Sequence, residues 1–206
     1  MARTGIRQTN NTAKMNTDIL RSKEALRKQQ YAANKSISSA ERTAAAELIR
    51  ARFKDLEVWH NSRSILFYAP LPDEPDIWPL LADAEAAGKA IMLPRYSAND
   101  HAYFAGQVVN LNKDLHAARF GIREPVADCP AFPLNQLDLI LVPGVVWSGT
   151  GYRIGRGQGH YDRLLAAVSG VKLGVAFDWQ FTDAIPVQPH DIRLNCILTP
   201  TRWLVL

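Results

Sequence analysis

Leu137-Asp-Leu-Ile-Leu-Val142, then Pro143-Gly-Val-Val-Trp-Ser-Gly-Thr-Gly-Tyr-Arg-Ile-Gly-Arg-Gly-Gln-Gly-His-Tyr-Asp162, is the stretch that decides the reading of this chain. Residues 137–142 are an apolar run of strand length, and residues 161–168 have helical composition. A buried strand feeding a helix is the unit of an α/β sheet. Between them stand five glycines in eleven residues, Gly149, Gly151, Gly155, Gly157 and Gly159. Without a Cβ the backbone can take positive φ and lie directly against a ligand. Successive N–H groups then form an anion nest, with the start of a helix behind it. Arg153 and Arg156 are interleaved and bring forked donors suited to phosphate. A flexible connector would carry small polar residues in their place.

The two common phosphate templates fail here. A Walker loop needs Gly-Lys-Ser/Thr, and no glycine is followed by that pair. A dinucleotide fingerprint counted from Gly155 and Gly157 needs a third glycine at position 160, which is histidine.

At 206 residues the chain suits one α/β domain, expected over residues 17–206, with the polar residues 1–16 as a disordered tail. No apolar run approaches the roughly 18 residues of a membrane span, and the first residues lack the apolar core of a secretory signal. Cys129 and Cys196 match no metal or redox spacing, so reduced thiols and a cytoplasmic setting are expected. The net charge of +4 is uneven: residues 1–60 hold twelve Lys/Arg against six Asp/Glu. That bias suits an anionic partner, although a solvated helix face explains most of it.

A first helix is expected from Asp18, on which Lys23 and Arg27 share a face at i and i+4. A second begins at a capping box, Ser38-Ser-Ala-Glu41, with Ala44, Leu48, Ile49 and Phe53 as its apolar stripe. Strands are predicted over residues 64–69 and 89–93, each stopped by proline, with a helix over 76–87 between them. An extended arm follows at residues 100–112, and later strands at 171–177 and near the end. Parallel strands joined by helices collect ligands at their carboxyl ends. Glu74, Arg95, Tyr96 and the glycine loop all follow predicted strands and should converge there.

The run Gly151-Tyr-Arg-Ile-Gly-Arg-Gly-Gln-Gly-His-Tyr-Asp162 closely resembles the signature of the 5-formyltetrahydrofolate cyclo-ligase family. Lys23-Glu-Ala-Leu-Arg27, Glu74, Pro94-Arg-Tyr96, residues 121–125 and Asp191 resemble weaker family features. The departures are Gln158, often lysine or glycine in the family, and His160, in place of the first of two paired aromatics. The resemblance implies a three-layer α/β/α fold with a mainly parallel open sheet, shared with sugar-phosphate isomerases and CoA transferases. It implies ATP and 5-formyltetrahydrofolate, with or without a polyglutamate tail, as substrates of a monomeric enzyme needing Mg²⁺. ATP would be bound by Lys23, Arg27, Arg153, Gly155, Arg156, Gly157, Gln158, Gly159, His160 and Tyr161. The folate would meet Glu74, Tyr96 and Tyr161. Arg153, Arg156 and Tyr161 would act on the reacting groups, and Asp162 and Asp191 would hold the metal, a cation that takes carboxylate and phosphate oxygens. The five histidines show no metal spacing.

Two other readings fit the same residues. A sugar-phosphate or acyl-CoA enzyme on the same sheet needs no ATP and leaves Lys23 and Arg27 without a task. An RNA-binding module would use the basic first third, but no RNA-recognition motif is present, and neither nucleic acid nor membrane is expected as a partner.

Overall fold

The structure is a computed structural model and describes residues 3–97, 102–117 and 122–206. In chain order its elements are α1 (Arg3–Asn34), α2 (Ser39–Lys54), α3 (Glu57–Asn61), β1 (Ser64–Leu66), α4 (Trp78–Ala86), β2 (Ala90–Ser97), β3 (Ala102–Val108), β4 (Leu115–Ala117) and β5 (Arg123–Pro125). They continue with β6 (Ala131–Phe132), β7 (Leu139–Val142), β8 (Val146–Ser148), β9 (Arg153–Ile154), α5 (His160–Ala166), β10 (Val171–Val175), β11 (Phe181–Thr182), β12 (Cys196–Leu198) and β13 (Trp203–Val205).

Eight strands form one mixed sheet in the order β13-β12-β10-β7-β1-β2-β3-β6. The five central strands, β12 to β2, are mutually parallel; β13 and β3 run antiparallel to them at the margins, and β6 pairs antiparallel with β3. Side chains alternate between the two faces with the period of two that a strand imposes. Ile65, Ile91, Leu139, Leu141, Leu173 and Val175 point to one face and pack on α2, α3 and α4. Leu66, Met92, Ile140, Val142 and Ile197 point to the other and pack on Trp147 and α5. Both faces being covered is why these strands read as unbroken apolar runs rather than as alternation.

From β1 the chain builds outward to β2 on one side, then returns to lay β7, β10 and β12 on the other. The connections after β1 and after β7 therefore leave in opposite directions. Such a switch point opens a crevice at the carboxyl ends of the two strands. The loop carrying Glu74 follows β1, and the glycine-rich segment follows β7.

Several elements differ from expectation for identifiable reasons. The first helix starts at Arg3, not Asp18, so the proposed tail of residues 1–16 is helical from residue 3; no proline interrupts it. Residues 1 and 2 lie outside the described residues. α2 carries the expected capping box, with the Glu41 N–H donating to Ser38 and the Ser38 N–H donating to Glu41. Its buried stripe is Ala45, Ala46, Ile49 and Phe53, while Ala44 and Leu48 face outward. β2 does not stop at Pro94 but runs to Ser97. Beyond the end of β1 it pairs only with β3, in the register Pro94↔Ala105, so a residue without an N–H is tolerated on its open side. The expected arm at residues 100–112 is β3 in part; residues 98–101 lie outside the described residues, as do 118–121 and with them Phe120 and Gly121 of the 120–125 turn. The segment after β7 is not one long loop. β8 and β9 pair as an antiparallel hairpin, which leaves residues 155–159 as the connection to α5.

Candidate active site

A cavity of about 380 Å³ occupies the switch-point crevice. Every residue expected from the sequence to bind a ligand or metal lines it, except Tyr96.

One wall comes from α1 and the glycine loop. Leu26 and Tyr31 of α1 pack on Val145, Val146 and Ile154 of the β8–β9 hairpin, which turns a polar stripe of the helix inward. Lys23 is 6% exposed and donates to both Asp191 oxygens at 2.6 and 2.8 Å, and to Gln188 Oε1 at 3.3 Å. The Asp191 carboxylate also accepts the Gln188 N–H at 2.6 Å, which fixes the turn that presents it. One helical turn on, Arg27 donates from Nε to the Gly155 carbonyl at 2.7 Å and pairs with Glu24. Gly157 has φ +101° and sits against the Arg27 guanidinium, and Gly159 has φ +63° where the chain enters α5. These two need glycine for their conformation. Gly155 has ordinary φ, and nothing lies near where its Cβ would stand, so its small size serves open space. Gln158 is exposed on the same loop.

The floor is Arg153, 4% exposed, whose NH1 donates to Asp162 Oδ1 at 3.0 Å while its Nε is buried without a partner among the described residues. The Asp162 Oδ1 atom also accepts the Ile192 N–H at 3.4 Å. Tyr161 lies beside Arg153, its ring 5.9 Å from the guanidinium carbon, and packs on both cores. Burial pushes its hydroxyl well above the usual tyrosine range; the Glu74 charge adds to this and Arg153 opposes it. Tyr161 is therefore a hydrogen-bond donor at any physiological pH.

The opposite wall comes from the loop after β1 and from β3. Glu74 is 9% exposed and accepts the Leu71 N–H at 3.0 Å. Burial raises its carboxyl above the ordinary range, a shift the Leu71 bond and Arg156 only partly offset. Arg156 reaches across the crevice from the glycine loop, donating to Asp73 Oδ1 at 2.5 Å and to Glu74 Oε1 at 3.2 Å.

Tyr96 does not line the cavity. It is 40% exposed and packs behind Tyr103, its cross-strand partner in the β2–β3 register, with ring centroids 5.3 Å apart. Tyr103 takes the lining position, edge-on to His160 at 4.9 Å. Tyr103 was not among the expected site residues because the strand pairing that brings it in was not legible; Glu124, within the 121–125 segment that resembles a family feature, also lines the cavity. The signal was β2 running past Pro94 into a hairpin. Arg95, expected at the same edge, instead donates to the carbonyls of Val126 and Ala127 and braces the neighbouring loop. His160 Nδ1 lies 2.8 Å from Arg163 NH2, and since a guanidinium only donates, Nδ1 accepts and the ring proton sits on Nε2. Burial, with Arg163 assisting, pulls the His160 pKa below the ordinary value, so the neutral ring dominates at pH 7.

For a metal, the described residues contain no group of three His, Cys, Asp or Glu side chains. The cavity does offer two carboxylates. Asp191 has both oxygens on Lys23, whereas among the described residues Asp162 leaves Oδ2 without a partner. An all-oxygen set with one open carboxylate oxygen suits a hard divalent cation whose other ligands are phosphate oxygens and water.

A 5-formyltetrahydrofolate cyclo-ligase from Mycolicibacterium smegmatis is 34% identical over 198 residues, covering 90% of this chain and 97% of that protein. The one from Escherichia coli K12 is 32% identical over 149 residues, covering 68% and 80%. The NMR structure of Aquifex aeolicus 5,10-methenyltetrahydrofolate synthetase superimposes with a TM-score of 0.81 at 32% identity, covering 89% of this chain and 92% of that one. No helix among the described residues is long and apolar enough to cross a membrane. The family model for 5-formyltetrahydrofolate cyclo-ligases matches residues 19–200, and the chain belongs to that family of enzymes.

Proposed function

We propose that this enzyme converts 5-formyltetrahydrofolate to 5,10-methenyltetrahydrofolate with consumption of MgATP and release of ADP and phosphate. The observation that carries the reading is that one cavity has two chemically different walls. Lys23, Arg27, Arg153 and the 155–159 loop present cations and main-chain N–H groups, as a triphosphate needs. Glu74, Tyr103 and Pro94 present a buried carboxylate beside apolar surface, as a flat heterocycle with N–H donors needs. Helices on both faces of the sheet support the three-layer arrangement expected from the resemblance.

The formyl oxygen attacks the γ-phosphorus and ADP leaves. As the oxygen bonds to phosphorus the N5 electron pair closes an N5=C iminium bond, and the O-phosphorylated iminium carbon is the electrophile. N10 adds to that carbon and loses its proton, and the C–O bond breaks as phosphate departs, leaving the methenyl bridge. Arg153 and Arg156 stabilise charge on the phosphoryl group in flight, and preorganised donors in a water-poor site are the most effective form of that help. Tyr161, held protonated, donates to the formyl oxygen and orients it toward phosphorus. The residues fit a magnesium ion carried in on the triphosphate: Asp162 would hold it through Oδ2, with Asp191 joining only by releasing Lys23. The ion would supply neutralisation of the β- and γ-phosphate oxygens.

The test mixes purified protein, MgATP and 5-formyltetrahydrofolate and follows the near-ultraviolet absorbance of the methenyl product. Absorbance should rise only with all components present and should fall at least about 100-fold in rate for Arg153→Ala. No ATP-dependent product from the wild type would refute the assignment.

A further inference from the structure

The Arg156 guanidinium bridges the two loops that leave the switch point in opposite directions. One carboxylate it touches is at the surface, with the Asp73 side chain 30% exposed; the other is inside, with the Glu74 side chain 7% exposed. Asp73 belongs to no motif and does not line the cavity. A single positive charge is thus divided between two negative ones, and neither the nucleotide nor the second substrate can use Arg156 or Glu74 fully while that bridge stands.

We propose that the Arg156 bridge makes the two halves of the site bind cooperatively: Glu74 holds Arg156 away from phosphate until the heterocycle takes it, and Asp73 is a positioning residue that competes for Arg156 whether or not the heterocycle is bound. This rests on the assignment of the nucleotide and folate walls above. A buried carboxylate stripped of its cation is costly, so Arg156 cannot leave Glu74 unless donors replace it. The adjacent N–H groups of the pterin supply such donors. Once they engage Glu74, Arg156 is held by Asp73 alone, a partly exposed pair of small strength, and swings to the more highly charged triphosphate. By linkage the nucleotide must strengthen folate binding by the same factor.

The test is calorimetric, with 5-formyltetrahydrofolate and the magnesium complex of β,γ-imido-ATP, which binds without turnover. For the wild type, saturating either ligand should tighten the other at least about 5-fold. Asp73→Asn removes one competitor for Arg156, so the nucleotide analogue should bind about 2- to 5-fold tighter with or without the folate, while the coupling factor, which Glu74 sets, stays the same. Asp73→Glu should restore the wild-type nucleotide affinity. Absence of coupling in the wild type would overturn the proposal, as would unchanged or weaker nucleotide binding in Asp73→Asn. The two readings fail separately: lost turnover removes the assigned reaction, whereas normal turnover without coupling removes only the switching of Arg156.

Discussion

Replacing Asp191 by Asn isolates what the Lys23–Asp191 pair contributes before any ligand arrives. Both side chains are nearly inaccessible, at 7% and 10%, and the ammonium meets both carboxylate oxygens within 2.8 Å. Asn keeps the shape and one acceptor but removes the countercharge, leaving a buried cation with only amide oxygens for company. Breaking a buried pair in this way costs about 3–5 kcal/mol. Gln188 stays in place as an acceptor at 3.3 Å, which points to the lower end of that range. For a chain of this size about 3 kcal/mol lowers the melting temperature by about 6–12 °C. The assay is thermal unfolding of the ligand-free protein followed by circular dichroism, with Lys23→Met and the double variant completing a cycle. Removing both charges should recover most of the loss, because the penalty lies in the orphaned cation and not in the missing bond. If Asp191→Asn melts within about 2 °C of the wild type, or if the double variant loses the sum of the two singles, Asp191 does not hold Lys23 in the free protein and the reasoning fails.

Two further expectations concern stability. Glu74 has its carboxyl raised by burial above the ordinary 4.5, so the folded state binds its proton more tightly than the unfolded one. Its contribution is therefore fully present below about pH 4.5 and lost as pH rises through the folded value. The melting temperature of Glu74→Gln minus that of the wild type should increase from pH 4 upward and then level off; a flat difference would contradict the shift. Gly170→Ala places a Cβ 2.1 Å from the Leu137 carbonyl oxygen and 2.5 Å from that of Asp138, so it should cost at least about 1–3 kcal/mol. Gly155→Ala, which meets nothing within 4 Å, should leave the melting temperature unchanged, and equal effects of the two would show that the crowding is not real.

The central sheet was readable in the sequence because runs such as Leu139–Val142 are apolar on both sides of the pleat, and only a strand covered on both faces needs that. The glycine-rich wall was readable because its chemistry is local: Gly157, Gly159 and Tyr161 are within five residues of one another. Tyr103 was not, since what brings it to the cavity is a pairing with Tyr96 that depends on β2 outlasting Pro94. Nor was Asp73, whose meaning comes from an arginine 83 residues further along. Lys23 is a similar case, a buried lysine whose burial makes sense only against Asp191, 168 residues further along.

That last point bears on how the enzyme comes into being. Lys23 meets Asp191 across 168 residues and Arg27 meets Gly155 across 128, so this wall of the cavity joins an early part of the chain to a late one. This wall of the cavity stays incomplete during synthesis until residue 191 has emerged. Under the proposed function, a growing chain lacks the Asp191 carboxylate that holds Lys23 until those last segments are made.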